Sequence, residues 1–314
     1  MQLNINSIDK KSPIKELGLI NNYIDEFKSN LSEQRSSSSL TGSGYPLEMS
    51  FTTLSDKPRY TIDPFAHIFP AEERLLATVD LIKRDFLIDF DKSQLKWFKE
   101  VQAMRPEYGA WLGVREMSDG IYPKLYIEVD DNSEAKHWPE LIDLQQQDRC
   151  LTMVGYTPSR GNNKKAECEL YYRSRNIKPS SLYSLLSIIN ANQHASVMKT
   201  ALENVYGRKL EGRLPGGTAG FSYAIDSEDQ IKTLTLFIFC RSFFGRDRRT
   251  RHAFGALLES QGISSEHYLR LTKASVDNLS ANTQHGLFAI TVSSKGEISY
   301  GVGYCPVERV EDDC

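Results

Sequence analysis

Apolar and polar residues alternate strictly in several short stretches of the chain, and between those stretches the apolar spacing changes to three and four. In Lys124-Leu-Tyr126-Ile-Glu128-Val the polar side chains fall on one side and the apolar ones on the other, as they must along a β-strand. The segment around Glu48, Ser50 and Thr52 does the same against Leu47, Met49 and Phe51. Such runs come in pairs, which predicts five hairpins at about Gly44–Pro64, Tyr108–Asp130, Cys150–Arg173, Ala219–Arg241 and Gly286–Cys305. Their expected turns are Asp56-Lys-Pro, Ser118-Asp-Gly120, Ser159–Asn163, Asp226–Asp229 and Ser293–Gly296.

Helical periodicity fills the intervals: Pro13–Leu31, Ala71–Phe86, Trp138–Gln147, Ser180–Asn190, His194–Tyr206, Arg248–Gln261 and a helix from Ser264. The Ser-rich run from Gln34 to Gly44 reads as a flexible loop. Five hairpins alternating with helices imply one unit repeated until the sheet closes. The expectation is an α+β fold: a ten-stranded antiparallel barrel of five repeated hairpin-and-helix units, jacketed by helices, in one domain over residues 1–314. Residues 1–43 supply the N-terminal helix and the loop. With helices covering the apolar face, the polar face lines the lumen.

Parity then assigns the lumen. It places inward Glu48, Ser50, Arg59, Thr61 and Asp63; Lys124, Tyr126 and Glu128; Lys165, Glu167, Glu169, Tyr171 and Arg173; Thr233, Thr235, Phe237 and Arg241; and Tyr300 and Tyr304. Cations interleaved with tyrosines suit a diphosphate, through charge-assisted hydrogen bonds. The ring faces suit a carbocation, at roughly 0.5–2 kcal/mol per well-placed ring.

These strands resemble the soluble aromatic prenyltransferases of the ABBA barrel type. Pro46-Leu-Glu48-Met-Ser50-Phe with Arg59-Tyr-Thr-Ile-Asp63-Pro is similar to that family's first hairpin. Lys124-Leu-Tyr126 resembles its second-repeat motif, and Glu169-Leu-Tyr171-Tyr its third-repeat strand. Gly286–Lys295 with Tyr300-Gly-Val-Gly-Tyr304 is similar to the closing hairpin. The resemblance implies that the five repeats are of ααββ type. It also implies transfer of a dimethylallyl or geranyl group from an allylic diphosphate to an electron-rich aromatic acceptor, an indole derivative in alkaloid metabolism. It implies Glu48 as the acceptor's base and Arg59, Lys124, Lys165 and Lys232 as diphosphate ligands. Tyr126, Tyr171, Tyr300 and Tyr304 would shield the cation.

The chain departs from the family in repeat three, where Glu167-Cys-Glu169 replaces a basic pair. Two extra carboxylates suggest Mg²⁺ bridging Glu167, Glu169 and the diphosphate; the alternative is that both pair with Lys165, Arg173 or Arg175. Lys165-x-Glu167-x-Glu169 also resembles the metal-dependent triphosphate tunnel hydrolases, and a closed barrel can carry a hydrophobic ligand without turnover.

Composition narrows the partners. Of 314 residues, 40% are hydrophobic and 25% charged, with a net charge of −3. That balance gives no pull towards nucleic acid or anionic membrane. No apolar run approaches the ~20 residues of a membrane span, no signal-like segment opens the chain, and the five cysteines have no CxxC spacing. A cytoplasmic monomer or weak dimer is expected, with no organic cofactor. Asp130-Asp131-Asn-Ser-Glu134 and the arginines from Arg241 to Arg251 read as solvated surface, and Gly212–Gly220 lacks the lysine of a P-loop.

Overall fold

The computed structural model describes residues 38–41, 44–66, 68–117, 120–129, 149–159, 166–175, 177–226, 228–273 and 284–305. Within them ten antiparallel strands pair in sequence and close, β1 against β10. The strands are β1 (Leu47–Thr52), β2 (Ser55–Ile62), β3 (Ala110–Met117), β4 (Gly120–Glu128), β5 (Arg149–Thr157), β6 (Glu167–Arg175), β7 (Thr218–Ile225), β8 (Ile231–Phe239), β9 (His285–Ser293) and β10 (Ile298–Tyr304). The helices between them are α1 (Ala71–Phe86), α2 (Lys92–Val101), α3 (Ser181–Ser187), α4 (Ala195–Tyr206), the single turn α5 (Cys240–Phe243), α6 (Asp247–Ser260) and α7 (Glu266–Leu271). The expected helices Pro13–Leu31 and Trp138–Gln147 lie outside the described residues.

The core is a ring between barrel and jacket. Alternate strand residues (Leu112 and Leu125, Leu234 and Leu236, Phe288 and Ile290) are fully buried, as are Leu75, Ile82, Leu182 and Met198 of the helices. Each such side chain contributes about 1.5–3 kcal/mol by leaving water. Direct contacts identify this face as the outer one. Phe98 of α2 meets Tyr156 of β5 with ring centroids 5.0 Å apart, Phe243 of α5 stacks on Phe288 of β9 at 5.4 Å, and the Tyr223 hydroxyl donates to the Leu185 carbonyl of α3 at 2.9 Å. The other face of every strand therefore turns to the lumen.

Two local readings are corrected, the first turn and the helix that follows α1. The first turn is Thr53-Leu54; Asp56-Lys57-Pro58 lies inside β2. A register shift between Ser50 and Thr52 falls opposite these residues, where Pro58 has no N–H to continue the ladder. Within the Ser-rich run Ser38 is buried and its hydroxyl donates to Asp63 at 2.7 Å. Helix α2 was absent from the sequence reading, yet it begins with a reciprocal capping box, Gln94 N–H to Asp91 and Asp91 N–H to Gln94, both 2.8 Å.

A buried chain of polar groups pins α6 to β9. The Asp247 carboxylate accepts the backbone N–H groups of Gln284 and His285, each at 2.9 Å, and lies 2.8 Å from His285 Nδ1. The Tyr268 hydroxyl lies 3.0 Å from His285 Nε2. Burial pushes the Asp247 pKa up, but these hydrogen bonds outweigh it and the net shift is down, while burial lowers that of His285. The arrangement is an aspartate holding a neutral imidazole, and its role is to position β9. Among the described residues no helix is long and apolar enough to cross a membrane.

Candidate active site

Lys124 of β4 is the centre of the lumen. Its ammonium contacts the Glu169 carboxylate of β6, donates to the Tyr171 hydroxyl at 3.0 Å, and lies 5.2 and 5.3 Å from the Tyr126 and Tyr171 ring centroids. Two glycines make this possible. A Cβ on Gly155 of β5 would stand 2.4 Å from Lys124 Cε, and one on Gly113 of β3 would stand 2.8 Å from the Tyr126 ring. The lysine thus lies across β5 to reach a partner two strands away. Ser222 of β7 donates to the other Glu169 oxygen.

The electrostatics follow from this packing. Burial pulls the Lys124 pKa down, but the Glu169 charge and hydrogen bond lift it above the ordinary lysine value. Burial likewise raises that of Glu169, and Lys124 brings it net below the usual carboxylate range. The pair is therefore ionic. Burial and the adjacent Glu169 charge push the Tyr171 phenol far up, so it stays protonated as a donor.

Arg59 of β2 pairs in register with Arg115 of β3, on the same inward face as Lys124. Solvent reaches Arg59 from the lumen, but the surrounding wall desolvates it and Arg115 repels it, and both effects lower its pKa. Among the described residues neither arginine is salt-bridged. Aromatic rings continue the wall: Tyr126 meets Tyr171 edge-on at 5.9 Å, and Phe237 of β8 lies 6.0 Å from Tyr171.

Glu48 of β1 stands on the far side of the ring from β6, since five steps in either direction separate the two strands. Its carboxyl occupies the space over two glycines: a Cβ on Gly303 or Gly286 would fall 2.6 or 2.9 Å from Oε2. Among the described residues no cation pairs with it, and burial raises its pKa to about 7. Beside it many inward positions of β7 to β10 are small: Gly220, Ala224, Ala289, Gly301 and Gly303, with Thr235 bonded to Thr291 at 2.9 Å, whereas Phe237 of β8 keeps a ring on this side.

Arg59, Lys124, Tyr126, Glu169, Tyr171 and Glu48 all face the lumen as the alternation requires. Other candidates do not. Tyr300 shares a face with Ile290, and Tyr304 with Met49, so both tyrosines point outward. Tyr300 floors a groove of about 690 Å³ between α4 and α6, and Tyr304 packs 5.1 Å from His285. Gly301 and Gly303 take the inward positions between them, and the bulkier face packs on the jacket. Lys232 shares the outer parity of Leu234 and pairs with Asp226 at 3.0 Å, at the hairpin end. Arg241 lies beyond β8, exposed in α5. Glu128 closes the barrel end, accepting the N–H groups of Glu107, Tyr108 and Gly109 at 2.7–2.9 Å. Lys165 lies outside the described residues.

The sequence reading missed Arg115. The pattern Leu112-Gly-Val-Arg115 gives its parity once it is registered with β4. Trp111, inward on the same strand, stacks on Tyr108 at 4.0 Å, and its indole nitrogen has no partner among the described residues.

The residues do not fit the expected Mg²⁺, which asks for converging oxygen ligands. Glu169 is committed to Lys124 and Ser222, rather than to Arg173 or Arg175. Glu167 begins β6 at the exposed rim, and among the described residues no three His, Cys, Asp or Glu side chains converge.

No family model matches the sequence, and no curated protein does. Solved structures do match the fold. Prenyltransferase PriB in its complex with product diphosphate is 16% identical with a TM-score of 0.71, over 92% of this chain and 88% of that one. Its ternary complex with L-tryptophan and dimethylallyl thiolodiphosphate superposes over 88% of this chain and 84% of that one, at 15% identity and a TM-score of 0.66. The 5-dimethylallyltryptophan synthase from Streptomyces coelicolor gives 13% identity and a TM-score of 0.66, over 88% and 85%. With ten strands closed in sequence order and a jacket of helices, this chain has the barrel fold of those prenyltransferases.

Proposed function

We propose that the protein transfers a dimethylallyl group from dimethylallyl diphosphate to the indole ring of tryptophan or a tryptophan-like acceptor. The observation that carries this reading is the division of the lumen. Cations and tyrosines occupy one wall, and a lone carboxyl of raised pKa stands opposite, over glycines. The dimethylallyl donor and the tryptophan acceptor are supported by the PriB complex, which holds an analogue of one together with the other.

Arg59, Arg115 and Lys124 hold the diphosphate as the C1–O bond ionises and the leaving oxygen takes the electron pair, so positive charge is already in place where negative charge grows. The Tyr126, Tyr171 and Phe237 faces lie against the allylic cation, and the closed wall keeps water from capturing it. The indole carbon then forms the new C–C bond. Glu48 accepts the indole N–H hydrogen bond and raises the ring's nucleophilicity, and the ring-carbon proton then passes to the released diphosphate, which restores aromaticity. Glu48 must be ionised for this. Its pKa of about 7 lies where general bases work best.

Incubation with dimethylallyl or geranyl diphosphate and a panel of indoles and phenols, read by mass, tests the reading. A prenyl increment on an indole is expected. Tight binding of indoles with both diphosphates intact contradicts it and favours a carrier, and release of phosphate from a triphosphate favours a tunnel hydrolase.

A further inference from the structure

Three cations face the proposed donor site, and one of them is already neutralised from within the wall. Lys124 contacts Glu169, while Arg59 and Arg115 carry no ion pair among the described residues. This pairing is built in. Gly155 leaves room for the lysine to cross β5, Ser222 fixes the second carboxylate oxygen, and the inward neighbour Ala224 is small enough to leave the carboxylate uncovered. No element of the fold depends on the pair for its register, since the β5–β6 and β6–β7 ladders run through it by backbone hydrogen bonds.

We propose that Glu169 is a displaceable counter-ion that competes with the donor's diphosphate for Lys124 and so sets the affinity of the donor site. The proposal rests on the prenyl-transfer reading of this wall. A diphosphate bridging Arg59 and Arg115 places its oxygens near the Lys124–Glu169 pair, because Lys124 stands diagonally across from Arg115 and Glu169, reached over Gly155, lies close enough to Arg59 to act on its charge. Two of the three Lys124 donors already serve Glu169 and the Tyr171 hydroxyl. The lysine therefore turns its full charge on the diphosphate by loosening its contact with Glu169, and the carboxylate that remains repels the ligand. Its hydrogen bond from Ser222 gives Glu169 a place to stay when the lysine leaves. Glu169 thus sets affinity rather than selectivity. It weakens binding of any diphosphate, product included, and leaves the discrimination between donors to the contacts of the prenyl chain.

Calorimetric titration of inorganic diphosphate into the whole protein, with thermal melting as a control, tests this. Glu169→Gln keeps the size and the Ser222 contact but removes the charge. It is expected to tighten diphosphate binding about tenfold or more and to lower the KM for the allylic donor. Glu169→Ala carries the same expectation should the glutamine variant not fold. In a Lys124→Met background the gain from Glu169→Gln should shrink to less than about twofold, because the competition runs through that lysine. Unchanged or weaker binding by both Glu169 variants, with wild type binding normally, overturns the counter-ion proposal alone. Failure of wild type and variants alike to bind diphosphate overturns the donor site itself.

Discussion

The two halves of the lumen are built by the same rule and carry different chemistry. From β2 to β6 the inward positions hold Arg59, Arg115, Lys124, Tyr126, Glu169 and Tyr171; from β7 round to β10, Phe237 apart, they hold mainly small residues such as Gly220, Ala224, Ala289, Gly301 and Gly303. Both sets alternate with buried apolar residues that pack on helices, so the fold does not distinguish them. What differs is charge against room. The first wall offers fixed cations and ring faces; the second offers space, with Glu48 at its edge. A reaction that separates an anion from a carbocation and delivers the cation to a flat ring needs both, on opposite sides.

The comparison breaks most severely at Lys124. Lys124→Met should lower kcat/KM for prenyl transfer by about 10²–10³, since one donor to developing charge is typically worth that much, and rate assays over both substrates measure it. Glu48→Gln should cost about 10²-fold, in the range of a lost general base. In wild type kcat/KM should rise with pH through an apparent pKa near 7, as Glu48 ionises, and Glu48→Gln should abolish that limb. The stability effect has the opposite sign. A carboxyl whose pKa is raised to about 7 in the folded protein binds more protons there than when unfolded, so stability falls as pH climbs from 4.5 towards 7. Urea melts of the two proteins across that window should converge at low pH.

Smaller effects sharpen the division. Gly303→Ala inserts a Cβ 2.6 Å from the Glu48 carboxyl, and should cost about tenfold in kcat/KM and displace the pH limb without moving the donor KM. Tyr300→Phe and Tyr304→Phe alter only the outer face, and initial-rate assays should find kcat/KM within about twofold of wild type. A chelator should leave the rate unchanged, because among the described residues no second and third carboxylate converge with Glu169 to hold a metal.

How much of this was legible in the sequence depended on the strand. In β4 and β6 every second residue is charged or phenolic and its neighbours are apolar, so the alternation alone placed Lys124, Tyr126, Glu169 and Tyr171 inward. In β10 the pattern Tyr-Gly-Val-Gly-Tyr carries no such contrast. Tyrosine packs as well against helices as it lines a lumen, and glycine gives no polarity signal, so the two tyrosines were read on the wrong face. Lys232 was misplaced for a related reason: it is one residue from the inward Thr233, and a single step reverses the face. The Lys124–Glu169 pair was out of reach because it spans β5. It depends on the register of three strands and on an absent Cβ at Gly155, neither of which a one-strand pattern contains.

The most direct test of the divided lumen is a single-turnover assay with dimethylallyl diphosphate and tryptophan on wild type, Lys124→Met and Glu48→Gln, reading diphosphate release and prenylated product separately. Wild type should yield both in equal amounts, Lys124→Met neither, and Glu48→Gln diphosphate release with product formation lagging behind it. Diphosphate release that survives Lys124→Met, or product formation untouched by Glu48→Gln, would contradict the assignment of the two walls.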